Sequence, residues 1–171
     1  MFKPENLHWS DIESDLFEGI EYIEHIKSKR DKIRNKSNYK AYRPDPKIIP
    51  QIQEILENSD KELKILTLGA SWCKTCSMVK PLLIKIVEEI ETPKLSVHLL
   101  GGVKTTMGSS HEDYQWAKKS PPEFHSKKFS IEEIPTIFFF DGQGNCITRV
   151  VKYPEHEINY EKKILKILEK I

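Results

Sequence analysis

What the 171-residue chain lacks narrows its function before any motif is read. It has no long apolar run: stretches such as "TIFFF" fall far short of the roughly 20 residues that a membrane-spanning helix needs. Nor does one charge dominate. Its 27 Lys and Arg against 26 Asp and Glu leave +1, with both signs mixed along the chain, so no basic face points to nucleic acid. The opening "MFKPENLHWSD" has neither an apolar core nor a small-residue cleavage site, so a cytoplasmic location is expected, without membrane contact. In such a chain the Asn-Lys-Ser sequence at Asn35 carries no glycan. Cysteine is scarce: Cys73, Cys76 and Cys146 are an odd number, too few for a disulfide framework. Six histidines (His8, His25, His98, His111, His125 and His156) show no His-x(3–5)-His spacing, and there is no second Cys-x-x-Cys. A closed zinc site would lack ligands, so no metal is expected. What is there, 38% hydrophobic and 31% charged residues, suits a globular domain with a sizeable core.

Periodicity suggests the elements. Ser10 and Glu13 match a capping box, and Ile12, Leu16, Ile20, Ile23 and Ile26 follow at steps of three and four. This predicts an amphipathic helix of about two dozen residues that fades into "SKRDKIRNKS". "NKSNYKAYRPDP" reads as a connector, because prolines and asparagine interrupt the period. A second helix is expected from Pro46 or Pro50 to Ser59, with Ile52, Ile55 and Leu56 on one face. Then come a strand, "KILTLGA", the turn Trp72 to Cys76, a helix bearing Met78, Val79, Leu82, Leu83, Ile86, Val87 and Ile90 and bent at Pro81, and a second strand, "KLSVHLLG". A long loop follows, which "HEDYQWAKK" turns into a helix start, then the irregular "SPPEFHSKKFSIEEI". A hairpin of "PTIFFFD" and "CITRVVKY" and a closing amphipathic helix complete the chain. The order predicts an α/β sandwich, a central sheet with helices on both faces. Residues 1–60 read as a helical N-terminal extension packing on the core, and 61–171 as the main domain.

The stretch "ASWCKTCSMVKP", residues 70–81, carries the chemistry. Cys73 falls where a strand ends and a helix begins. The free amides and the positive dipole end of a first helical turn favour a thiolate there, which lowers the thiol pKa. Lys74 adds a nearby positive charge. Cys76, one turn further in, is placed to attack a mixed disulfide formed by Cys73 and release its partner. Two alternatives stay open on the spacing alone: half of a metal site, or two small buried residues.

With Trp72 before the pair and Pro81 five residues after Cys76, "SWCKTCSMVKP" resembles the active-site signature of the thioredoxin family. A second signature agrees: Pro135 in "EEIPTIFFFDGQGN" matches the family's cis-proline. The resemblance spans roughly Leu63 to Ile171. It implies a thioredoxin-like three-layer sandwich, with a central mixed sheet flanked by helices and a helical N-terminal extension. It also implies a thiol-disulfide oxidoreductase whose redox group is the Cys73–Cys76 disulfide, with no separate cofactor. Ile134 and Pro135 would present backbone to an extended substrate, and Trp72 would shape the rim. Implied partners are disulfide-containing proteins and a thioredoxin reductase-like electron donor, with the chain a monomer or weak dimer. A thioredoxin-fold binding module without redox turnover is the alternative. Two departures from the family matter. Lys74 and Thr75 stand where thioredoxins usually have Gly-Pro, and Thr67 replaces a buried aspartate six residues before the first cysteine. His98, in a core strand, is the candidate for moving the proton that the aspartate would move.

Overall fold

The computed structural model describes residues 1–106, 116–152 and 159–171. Five strands form one mixed sheet: β1 (Phe17–Glu18), β2 (Leu63–Leu68), β3 (Leu95–Leu100), β4 (Thr136–Asp141) and β5 (Cys146–Val151), in the order β1-β3-β2-β4-β5. Only β2 and β3 run parallel; the other pairs are antiparallel. The parallel pair needs a crossover, and the chain supplies α4 (Cys76–Ile90). Strand parity divides the core. Leu63, Ile65, Val97, Leu99, Ile137 and Phe139 face a cluster built with α3 (Ile49–Glu57), α4 and α5 (Tyr160–Lys170). Leu66, Leu68, Leu100, Phe138 and Phe140 face the other way. That side is closed by Leu7 and Trp9 of the N-terminal arm and by Phe124, Phe129 and Ile131, around a 3-10 turn at Pro122–His125.

The first sixty residues depart from their periodicity. No two-dozen-residue helix forms. Trp9–Asp11 is a 3-10 turn capped by His8, not by Ser10: the His8 amide donates to Asp11 Oδ2 at 2.8 Å. Ile12 and Leu16 pack on one face of the sheet, while Ile20, Ile23 and Ile26 pack on the other. Between them Phe17–Glu18 pairs with β3, and Gly19 turns the chain at φ +58°, which an L side chain resists. The isoleucine stripe therefore belongs to two layers of the protein rather than to one helix face. α1 is a single turn, Glu21–Glu24.

The expected connector is helical. α2 spans Lys29–Ala41, with Ser28 at its N-cap accepting from the Asp31 amide at 3.3 Å. Its inward residues, Asp31 and Asn35, are polar, so no apolar period announces it. Near the chain's middle, the "HEDYQWAKK" expectation lies mostly outside the described residues. The part described, Trp116 onward, begins with a bridge to Thr105 and not with a helix.

Candidate active site

β2 ends at Leu68, and the Gly69 amide still bonds Leu100 O at 3.2 Å. The chain then turns sharply, with the Cys73 amide on Ala70 O at 3.3 Å, and enters α4 at Cys76. Thr75 occupies the N-cap but gives no side-chain cap. The first-turn amides turn instead to acceptors of the cysteine turn itself, Ser77 to Cys73 O at 2.9 Å and Met78 to Thr75 O at 3.1 Å. The Cys73 sulfur takes one of them: the Cys76 N–H donates to Cys73 Sγ at 3.3 Å. Cys73 is partly exposed and Cys76 buried.

This arrangement drives the two thiols apart. The Cys76 thiol, donating to the Cys73 sulfur, does most to hold Cys73 low; the Cys76 and Thr75 amides and the charge of Lys80 act in the same direction. Against the burial that opposes them, the Cys73 pKa falls to about 6. The same hydrogen bond, together with burial, pushes Cys76 far up. At neutral pH the outer sulfur is a thiolate and the inner one a thiol.

Pro81 lies inside α4 and has no amide to give Ser77, four residues back. Asn38 of α2 fills the gap, its Nδ2 donating to Ser77 O at 2.7 Å. Asn35 reaches Asp31 O at 2.9 Å and Ser71 O at 3.5 Å, and Ser71 Oγ donates to Asp31 Oδ2 at 3.4 Å. α2 therefore braces both the cysteine turn and the first turn of the helix behind it.

Trp72 and Met78 flank the turn, 47% and 46% exposed. The Ile134–Pro135 bond is cis. Thr136 pairs with Leu68, so Pro135 continues alongside Gly69. Pro135 O accepts from the Lys152 amide at 2.7 Å, whereas the Ile134 backbone has no hydrogen bond among the described residues. Ile134 and Cys73 pack against the same apolar cluster. The structure thus brings Trp72, Cys73, Cys76, Ile134 and Pro135 to one end of the sheet.

His98 is not brought there. It pairs with Leu66, back along the sheet, where its ring meets Trp9 at 4.9 Å and Ser96 Oγ at 3.0 Å. Burial lowers its pKa, and the charges acting on it are Glu18 and Lys64, neither of them a cysteine. Lys74 is exposed, and the cation that acts on Cys73 is Lys80 instead. Lys80 escaped the sequence reading. It is 0% exposed, its Nζ donating to Gly69 O at 3.2 Å and Leu100 O at 3.1 Å and lying 4.1 Å from the Tyr22 ring centre. The sequence does hold a signal for it: it follows Cys76 by four positions, so it repeats the inward face of an otherwise apolar helix. Among the described residues, no group of three or more His, Cys, Asp or Glu side chains is placed to hold a metal ion.

"Thiol:disulfide interchange protein DsbD" of Yersinia pestis (strain Pestoides F) is 28% identical over 100 residues, 58% of this chain but only 15% of that protein. The same protein from strain Antiqua of biovar Antiqua matches equally. Among solved structures, an HIV epitope-scaffold superposes with a TM-score of 0.59 at 12% identity, covering 88% of this chain and 90% of that one. A Pseudomonas aeruginosa protein of unknown function gives 0.53 at 15% identity, covering 87% and 89%. At these identities the superpositions speak for the fold alone. A family model described as thioredoxin matches residues 20–164, and with most of its length so matched the chain belongs to the thioredoxin family.

Proposed function

We propose that the chain is a thiol-disulfide oxidoreductase that reduces protein disulfides through Cys73 and Cys76. One observation carries this reading above the others. The Cys73 sulfur, partly exposed at an uncapped helix start, accepts the Cys76 amide at 3.3 Å, with a second thiol buried behind it. Family membership and the thiol:disulfide interchange relative support the same class.

Cys73 attacks one sulfur of the substrate disulfide as a thiolate. A Cys73–substrate bond forms, the substrate's S–S bond breaks, and the leaving sulfur departs with the electron pair. Cys76 then attacks Cys73 Sγ and frees the second substrate sulfur. The substrate is reduced by two electrons and the chain is left as the Cys73–Cys76 disulfide. A dithiol electron donor of the thioredoxin reductase class resets it. Ile134, with its backbone unpaired among the described residues, offers hydrogen bonds to an extended substrate segment, and Trp72 supplies an apolar rim. Recognition through backbone suits substrates of varied sequence.

Iodoacetamide labelling of the reduced protein tests the reading. Labelling of Cys73 should rise about tenfold per pH unit below its midpoint of about 6 and level off above pH ~7, because only the thiolate reacts. Insulin reduction should be lost in Cys73→Ser. A labelling profile that keeps climbing through pH ~8.5, as for an ordinary thiol, would overturn the reading.

A further inference from the structure

The second step needs Cys76 as a thiolate, although its thiol is buried and held protonated. The strand position that would carry a carboxylate holds Thr67, fully buried with its hydroxyl unpaired among the described residues. His98 lies elsewhere on the sheet. Lys80 does not. It sits one helical turn beyond Cys76, and both side chains close on Gly69: a Cβ built there would be 2.7 Å from Cys76 Sγ and 3.4 Å from Lys80 Cε. An ammonium has three donors. Two of them serve the Gly69 and Leu100 carbonyls, and the Tyr22 ring covers a further side. Among the described residues, no carboxylate forms a salt bridge with it. A fully buried cation without an anion is unfavourable unless an anion forms beside it.

We propose that Lys80 is the charge partner of Cys76, its buried ammonium holding that sulfur as a thiolate during attack on the mixed disulfide. The proposal rests on the oxidoreductase reading and deepens it. In the reduced chain the strongest influence keeping Cys76 protonated is its hydrogen bond to the Cys73 sulfur. Once Cys73 is bonded to substrate that charge is gone, and burial is left opposed by Lys80 and by the Ala70 backbone. The Cys76–Lys80 pair then gives one proton to water and keeps the other on nitrogen. Cys76 Sγ bonds to Cys73 Sγ, the bond from Cys73 to the substrate sulfur breaks, and that sulfur leaves with the electron pair and takes a proton from water. The groups facing Lys80 are few: Cys73 and Cys76 from the active-site turn and α4, and Tyr22 from α1, with Asp31 of α2 acting on Tyr22. Burial draws Lys80 down and the two cysteines raise it, leaving it at about 8, which is the coupling the step requires.

Lys80→Met keeps most of the side chain's length and removes its charge. Reduced protein treated with less than one equivalent of Ellman's reagent releases a first thiolate as Cys73 attacks and a second as Cys76 resolves. In Lys80→Met the second release should slow by about tenfold or more, its pH midpoint rising by about one unit, while the first changes by less than about threefold. Lys80→Arg should recover part of the rate. A folded Lys80→Met chain with unchanged second release and midpoint would overturn the proposal. If that variant does not fold, NMR titration of the Lys80 amine in Cys73→Ser, where no Cys73 charge holds Cys76 protonated, decides: its midpoint should fall on adding Cys76→Ala, and an unchanged midpoint overturns the proposal. A wild type that never gives the second release defeats the oxidoreductase reading itself, and this proposal with it.

Discussion

A methyl group added at Gly69 would stand 2.7 Å from the Cys76 sulfur, nearer than real Cβ atoms come. Neither neighbour can yield easily, since Cys76 is buried at a helix start and Gly69 is tied to Leu100. Gly69→Ala should therefore cost about 1–3 kcal/mol in urea unfolding, the penalty of an overpacked core site. Cys146 shows what a thiol becomes without such surroundings. It is buried in β5, its Sγ directed to Thr148 O at 3.8 Å, and burial pushes its pKa up to about 12. At neutral pH it stays a thiol. Mass mapping after brief native alkylation should find label on Cys73 and none on Cys146 until the chain is unfolded. Arg149, whose position the sequence does not decide, donates to Phe129 O and Ser130 O, both at 2.9 Å, and lies over the Phe2 ring. It ties the segment leading to Pro135 onto β5.

Among the elements, α2 shows how a helix can be essential and unreadable together. Its contribution to the site is the Asn38 side chain on Ser77 O, which replaces the hydrogen bond that Pro81 removes from α4. Asn38→Ala leaves that carbonyl without its bond and should lower stability by about 1–3 kcal/mol, read from the urea midpoint. Residues 29–41 could not announce this, because a helix that turns Asp31 and Asn35 inward has no apolar stripe to count. α3, α4, α5 and the four longer strands were legible because each pairs an apolar face with a core of matching period. The cysteine pair and Pro135 were legible for another reason: their chemistry ties them to fixed offsets in the chain. Lys80 follows the inward period but not its apolar character. Its place four residues after Cys76 hints at the inward face, but its residue type reads as solvated, and the fold shows that its amine meets two strand-end carbonyls. The isoleucines of residues 12–26 misled for the converse reason, a helical spacing shared out between opposite sides of a sheet.

At the scale of the molecule, the N-terminal residues are woven into the same core as the cysteine-bearing elements. Tyr22, Ile23, Ile52 and Leu56 are buried with Leu63, Ile65 and Leu83 in one cluster. Ile52→Ala, at a side chain with no exposure, should cost about 2–5 kcal/mol in chemical unfolding. A chain begun at residue 61 would bare the faces of α4 and α5 that α2 and α3 cover, and is expected to lose cooperative thermal unfolding. The N-terminal arm works at the sheet's margins as well. β1 lends β3 only two residues, and the Leu7 carbonyl takes the Cys146 amide at 3.1 Å. A ladder that ends after two rungs gives a neighbouring molecule almost nothing to extend. The Ile134 backbone can thus stay open beside Cys73 without the β1 margin becoming a seed on which copies of the protein accrete into fibres.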